Sequence, residues 1–279
     1  MRFPAFVVTS LVTALFVPAA LAQQGVSMAN GSPLTDFTTW TLDGSATAVN
    51  DTPGNGFTYS LLRLTQTGTG GQGGSGFAPT ALAMDFNQPF SFDFNFLIPT
   101  NVGLRGDGMT FTLATAAGLG SPGSGLGYEG IGNSVAFAID TFNFDDEPVS
   151  PSLQILSQGS TTPLATTLTG LGDGIRDPNF QWHASLSYVP SGNDDDTGLL
   201  TGRIVHLNLG TFEVAASVDF NALGLAGNPV FYGFTASNGA ATDGHFVTSA
   251  VPVPEPGSWA LMALGLLAVA GRTMRRRPD

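Results

Sequence analysis

The chain has 279 residues, room for one sizeable domain, and a formal net charge of −12. It has neither cysteine nor lysine, which excludes a disulfide framework, a thiolate metal site and a cysteine nucleophile. Residues 23–254 hold four arginines against 19 acids, a net charge of −15; such a surface repels nucleic acid and anionic lipid and suits neutral ligands and divalent cations.

Residues 1–22 read as a secretory signal peptide: Arg2 gives a positive start, Ala5 to Val17 is largely apolar, and Ala20-Leu21-Ala22 is a small-residue cleavage site. Residues 23–250 form the body, read as all-β because no stretch keeps a helical period. Phe37, Trp40 and Leu42 are expected in early strands and Leu61 to Thr65 in a short one. Residues 67–76, TGTGGQGGSG, read as a flexible loop. Phe90 to Phe96 sets four phenylalanines against Ser, Asp and Asn, the alternation of a half-buried strand. Met109, Phe111 and Leu113 alternate with threonine after Gly106-Asp107-Gly108. Residues 115–133 are a long glycine-rich loop where backbone can approach a ligand. Further strands are expected at Leu153–Ser157, Trp182–Val189, Arg203–Leu209, Phe212–Asp219 and Val230–Ala236. The run 191–198, with Asp194, Asp195 and Asp196, reads as a solvated hairpin loop. His183, His206 and His245 fall on strands or their edges and have no nucleophile motif beside them.

Residues 134–148 organise the rest. Val135, Phe137 and Ile139 alternate with Ala136 and Ala138 as a buried strand, which then breaks into Asp140, Asn143, Asp145, Asp146 and Glu147 before Pro148. Four carboxylates within eight residues repel one another, and a bound hard cation, calcium, would offset that repulsion. A solvated acidic turn is the alternative.

The tail, 251–279, is separate. Val251 to Pro256 is a proline-rich linker, Ser258 to Ala270 a short apolar helix, and Arg272 to Arg277 a basic cluster that would hold its end in the cytoplasm. This order of Pro254-Glu255-Pro256, apolar segment and arginines closely resembles the PEP-CTERM sorting signal of Gram-negative bacteria. The resemblance implies export, a transient inner-membrane anchor, cleavage near Pro254-Glu255-Pro256 by a dedicated sorting protease, and delivery to the cell envelope or an exopolysaccharide matrix.

The body resembles the L-type, legume-like lectins, through LLRLT (61–65), GFAPT (76–80), FSFDFNF (90–96), GDGMTFTLA (106–114), GLGYEGIGNSVAFAIDTFN (125–143), WHASLSY (182–188), VDF (218–220) and GFTASNG (233–239) in that order. It implies a concanavalin-like jelly-roll sandwich of antiparallel sheets. It implies a neutral sugar held by Asp107, by backbone N–H near Gly125 (Ser124 in an alternative alignment), by Asn143 and by the ring of Phe142. It implies calcium on Asp140, the Phe142 carbonyl, Asn143 and Glu147, with Asp145 or Asp146 substituting in a loop two residues shorter than the family's. The family's second, transition-metal site needs an acid where Ala138 stands and a histidine where Ser152 stands, so that site is expected to be lost. By the same resemblance the Gly106–Asp107 peptide bond is expected to be cis.

Three functions follow: a non-catalytic carbohydrate-binding protein, a structural envelope protein that keeps the fold without sugar, and a glycoside hydrolase of the same fold. The last needs a pair of acids along one strand, and Ala138-Ile139-Asp140 supplies one.

Processing after Ala22 and near Pro254-Glu255-Pro256 would remove five of the nine arginines. Mass spectrometry of protein from the native host is expected to find neither terminal segment; mature protein retaining Arg275 to Arg277 would contradict the sorting reading.

Overall fold

The computed structural model describes residues 24–25, 36–51, 59–99, 101–145, 147–177 and 182–248. Ala22, the Pro254-Glu255-Pro256 tail and Asp146 lie outside them. No helix among the described residues is long and apolar enough to cross a membrane; their helical content is three short 3-10 turns.

The strands in chain order are β1 (Gln24–Gly25), β2 (Thr41–Gly44), β3 (Thr47–Asp51), β4 (Tyr59–Thr65), β5 (Gly73–Phe77), β6 (Leu82–Ala83), β7 (Phe90–Leu97), β8 (Gly108–Ala114), β9 (Ser134–Asp140), β10 (Ser152–Ser157), β11 (Ala165–Leu168), β12 (Trp182–Pro190), β13 (Thr197–His206), β14 (Gly210–Asp219), β15 (Pro229–Ser237) and β16 (His245–Thr248). One sheet runs β14-β13-β12-β7-β16-β4-β3, with β1 beside β7. The other runs β11-β10-β9-β8-β15-β5-β2, with β6 beside β15. Pairing is antiparallel except for β1 with β7. The two sheets pack face to face, as the period of two in their sequences requires.

The expected phenylalanine strand is β7. Phe90, Phe92, Phe94 and Phe96 are buried, and the intervening Ser, Asp and Asn are half-exposed. The central two phenylalanines meet the opposite sheet: Phe92 and Phe94 lie 5.0 and 5.6 Å from Phe111, and Phe94 stands edge-on to Phe234 at 4.8 Å, while Phe90 and Phe96 stack on Tyr188 and Trp182 of the neighbouring β12. Each buried phenylalanine contributes about 1.5–3 kcal/mol of transfer free energy.

A second, smaller core lies on the other face of the second sheet. The glycine-rich loop 115–133 folds back over β8 and β9 and drops Leu126, Tyr128 and Ile131 onto Ala114, Ala136 and Ala138. The alanines are small because the loop sits on them. Beneath the loop, the Thr235 hydroxyl donates to the Leu126 carbonyl at 2.8 Å and meets the Thr110 hydroxyl at 2.8 Å.

Four sequence expectations are corrected. Residues 73–77 are not loop but β5, hydrogen-bonded between β15 and β2. A strand of Gly-Gly-Ser-Gly shows no alternation, yet glycine is what the place demands. Phe37 lies in a 3-10 turn, Phe37–Thr39, capped by the Asp36 side chain, and Trp40 is its C-cap, so neither is in a strand, whereas Leu42 is in β2. The strand expected over 203–209 starts earlier, at Thr197, and ends at His206, whose Nδ1 accepts from the Asn208 and Leu209 N–H groups and closes the turn. The only cis peptide bond among the described residues is Ser150–Pro151, so Gly106–Asp107 is trans. Residues 191–195 are exposed, as expected of a solvated hairpin loop, while Asp196 is half-buried and accepts from the Asn87 amide at 3.2 Å.

A Cβ on Gly74 would lie 2.2 Å from the Leu64 carbonyl oxygen and 2.9 Å from the Ala46 nitrogen. Gly74→Ala is expected to cost about 2–3 kcal/mol in denaturant unfolding, the range of overpacking. Gly118→Ala, with nothing within 4 Å of the new methyl, is expected to stay within about 0.5 kcal/mol of the parent.

Candidate functional site

Three register positions bring the site together. Gly108 on β8 pairs with Asp140 on β9, and Ser237 on β15 pairs with Gly108. Asp107, the residues after Asp140, and Gly239 therefore leave the sheet side by side at one end. The Asp107 turn is tied to the β9 exit. Thr141 N–H donates to the Asp107 carbonyl at 2.9 Å, the Thr141 hydroxyl donates to the Gly106 carbonyl, and Arg105 Nε donates to the Thr141 carbonyl at 2.9 Å.

These loops enclose a pocket of about 390 Å³, lined by Leu104, Asp107, Pro122 to Ser124, Phe142, Phe144 and Gly239 to Ala241. Its walls are mostly apolar and its base is a carboxylate. Asp107 is 6% exposed, and its Oδ2 has no hydrogen-bond partner. Burial pushes the Asp107 carboxyl above its usual range, opposed by hydrogen bonds from its own backbone N–H and that of Gly239. A buried acceptor without a donor is costly, and the residue that carries it lines a cavity large enough for a ligand.

Of the residues expected at the site, Asp107 and Phe142 line the pocket. Asn143, next to Phe142, is exposed. Gly125 is buried one residue behind the lining, where a Cβ would meet Ser121 Cβ at 2.9 Å; Ser124 and Gly123 form the rim. Phe144, which sequence reasoning passed over, is a lining residue and 55% exposed.

The acidic strand end splits into unlike environments. Asp140 is buried; its Oδ1 accepts from Phe142 N–H at 3.1 Å and its Oδ2 from Gln154 Nε2 at 2.7 Å. Burial, then repulsion from Glu147, pushes the Asp140 carboxyl up to about 8. Glu147 is also raised, by burial first and by Asp107 and Asp145 in smaller measure. Its carboxylate accepts from Phe144 N–H at 2.7 Å and from the Ser124 hydroxyl, linking the acidic loop to the glycine-rich one. Among the described residues no three His, Cys, Asp or Glu side chains are gathered so as to hold a metal ion. Asp107, Asp140 and Glu147 repel one another, a repulsion that a hard cation would relieve.

The second ion has no such fit. Ala138 lies in the apolar cluster under the loop, and Ser152 Oγ accepts from Gln154 Nε2 at 3.0 Å. The Gln154 amide thus joins Asp140 to Ser152, a role that the sequence alone did not disclose.

A sandwich of two such antiparallel sheets is the fold of the legume lectins. The body is similar to a crystal structure of winged bean basic lectin with Tn-antigen (19% identity over 77% of this chain and 93% of that one, TM-score 0.57). It is similar to the lectin of Bauhinia forficata in complex with GalNAc (18%, 77% and 91%, TM-score 0.60) and to arcelin-5, a lectin-like defense protein of Phaseolus vulgaris (19%, 76% and 90%, TM-score 0.55). Residues 252–277 match the PEP-CTERM protein-sorting motif, which marks export and cell-envelope sorting in Gram-negative bacteria. Among curated protein sequences nothing matches the chain.

Behind the pocket, His245 is fully buried. The Thr65 hydroxyl donates to the Asp243 carbonyl at 3.0 Å and so accepts from His245 Nδ1 at 2.8 Å, which places the ring proton on Nδ1. Burial, opposed by Asp243, lowers the imidazole to about 4 from its ordinary 6.5. The unfolded chain takes up a proton below pH 6.5 that the folded one refuses until about pH 4. The stability His245 contributes is therefore complete above pH 6.5 and lost as pH falls through that window, by up to about 3 kcal/mol. The raised Asp107, Asp140 and Glu147 carboxyls slope the other way over the same range, so urea unfolding between pH 4 and 7 is expected to show the His245 slope as the difference between the parent and His245→Gln.

Proposed function

We propose that the chain is an exported, non-catalytic carbohydrate-binding protein. It holds a neutral glycan of the envelope or exopolysaccharide in the pocket at Asp107, with one calcium bound nearby. The observation that carries this reading is the buried, unpartnered Asp107 Oδ2 at the base of a pocket walled by Phe142 and Phe144. A sugar presents the complement: hydroxyls that donate to the carboxylate and a C–H face that packs on aromatic rings. Exclusion of water by apolar walls strengthens each such hydrogen bond.

Calcium would draw on Asp140, the Phe142 carbonyl, Asn143 and Glu147, with Asp146 in reserve, and would neutralise carboxylates that otherwise repel. Ala138 and Ser152 offer a transition metal neither carboxylate nor imidazole, so one calcium and no manganese or zinc is the expected content. Ala138 also stands where a strand-borne catalytic pair would need its first acid, which favours binding over hydrolysis. The sorting tail supports a sequence of inner-membrane anchoring, cleavage by the sorting protease, and release to the envelope.

One observation favours a structural protein without sugar: both Asp140 oxygens already accept hydrogen bonds within the chain.

A glycan array with and without calcium decides between the two, with galactose and N-acetylgalactosamine as first probes because the similar lectins were crystallised with such ligands. Calcium-dependent binding and a calcium-dependent rise in melting temperature are expected. Asp107→Asn is expected to weaken the best glycan by about 1.5–3 kcal/mol, roughly 10- to 150-fold, the scale of a hydrogen bond to a charged group, with little change in melting temperature. No binding to any glycan would favour the structural reading.

A further inference from the structure

The pocket has two walls, tied to each other at Thr141 and otherwise held by different means. The wall that carries Leu104, Asp107 and Gly239 to Ala241 backs onto Arg176 and Asp243, whose side chains are 4% and 0% exposed. Arg176 Nε donates to Asp243 Oδ2 at 3.0 Å, and Nη2 lies 3.0 Å from Oδ1, off the line of a hydrogen bond. Nη1 donates to the Asn101 and Gly103 carbonyls at 3.3 and 3.2 Å. Asp243 Oδ2 also accepts the Gly106 N–H at 3.0 Å. One buried pair thus grips the chain on both sides of Leu104 and ties it to the loop that ends at Asp243. Asn101 Nδ2 adds a second tie, to the Thr242 carbonyl at 2.8 Å, and Asn238 Nδ2 closes the loop on itself through the Asp243 carbonyl at 2.9 Å. A Cβ on Gly106 would crowd this tie, meeting both the Asp243 Cβ and nitrogen at 3.0 Å.

The facing wall, Phe142 and Phe144, is different. The N–H groups of both residues donate to carboxylates, Phe142 to Asp140 and Phe144 to Glu147. These are the groups a cation would organise.

We propose that Arg176 and Asp243 are the positioning residues of the pocket, holding the Asp107 wall in its binding geometry independently of any metal, so that metal removal loosens only the Phe142 wall. The sugar-pocket reading supplies the purpose of this division, but the division itself is a property of the free protein. The pair is buried and hydrogen-bonded through Arg176 Nε and Nη1 and Asp243 Oδ2, so loss of one partner leaves the other a buried charge without a counter-charge. Opening of the Asp107 wall then becomes a local event and not a global one.

Amide hydrogen exchange of the purified chain, resolved by residue, tests this in calcium, after chelation, and in Arg176→Met and Arg176→Lys. The Gly106 N–H reports one wall and the Phe144 N–H the other. Chelation is expected to speed Phe144 exchange and leave Gly106 unchanged. Arg176→Met in calcium is expected to speed Gly106 exchange roughly tenfold or more, and Arg176→Lys, which keeps the charge but not the fork, to restore part of the protection. Gly106 released by chelation as fast as Phe144 would overturn the proposal, and so would Gly106 protection unchanged in Arg176→Met. If Arg176→Met does not fold, Arg176→Lys and the chelated parent decide. If the chain binds no calcium, the Arg176 variants decide alone. A failure to bind any glycan would count against the sugar reading and leave these exchange patterns standing.

Discussion

The pairing of Gly108 with Asp140 is the constraint on which the site depends. It fixes where β8 begins and β9 ends, and thereby which two acids leave the sheet together. The pairing needs glycine on the β8 side. Gly108 has φ +145°, and a Cβ there would lie 2.4 Å from the Ile139 carbonyl oxygen. A one-residue slip would send Phe111 and Phe137 to the loop-covered face and Thr110 and Ala138 into the phenylalanine core. The aromatic contacts between sheets thus hold the register, and the register places the carboxylates. Core packing and the geometry of the site are two consequences of one alignment.

The same alignment explains the electrostatics. Most of the acids in this strongly acidic chain are on the surface, where repulsion is screened. Asp107 and Asp140 are not, and both carboxyls are pushed up chiefly because burial disfavours their charged form. Each has a different remedy. Asp140 receives a backbone N–H and the Gln154 amide, whereas one oxygen of Asp107 receives nothing. A protein that only needed the fold could place an apolar residue at 107 and avoid the desolvation cost. Retaining a buried acceptor beside two phenylalanines is what the proposed binding function would require.

What could be read from the sequence follows from how far each signal reaches along the chain. β7 was legible because burial and exposure alternate within one strand, and Asp107 because two glycines frame it before an alternating strand. The break at Asp140 was legible as the end of an apolar run. β5 was not: glycines carry no pattern, and the Leu64 carbonyl that demands Gly74 is ten residues away and belongs to the other sheet. Arg176 and Asp243 are 67 residues apart and look like ordinary surface charges until the fold buries both. The role of Gln154 was hidden for the same reason, since it depends on β10 pairing with β9 so that Ser152 lies beside Asp140. The expected cis bond at Gly106 was a property of the resembling family, and nothing in this chain's own residues required it. Carboxylates can be counted from sequence; whether each is hydrogen-bonded, repelled or left open depends on partners distant in the chain.

The account's central claim is that the Asp107 pocket receives carbohydrate. Titration of isotope-labelled protein with exopolysaccharide purified from the native host, followed by NMR, tests it most directly. The account predicts saturable shifts of the Asp107 side-chain carboxyl carbon and of the Ser124 and Gly239 amides. Saturable binding that leaves those three signals in place, with shifts on another face of the sandwich, would contradict it.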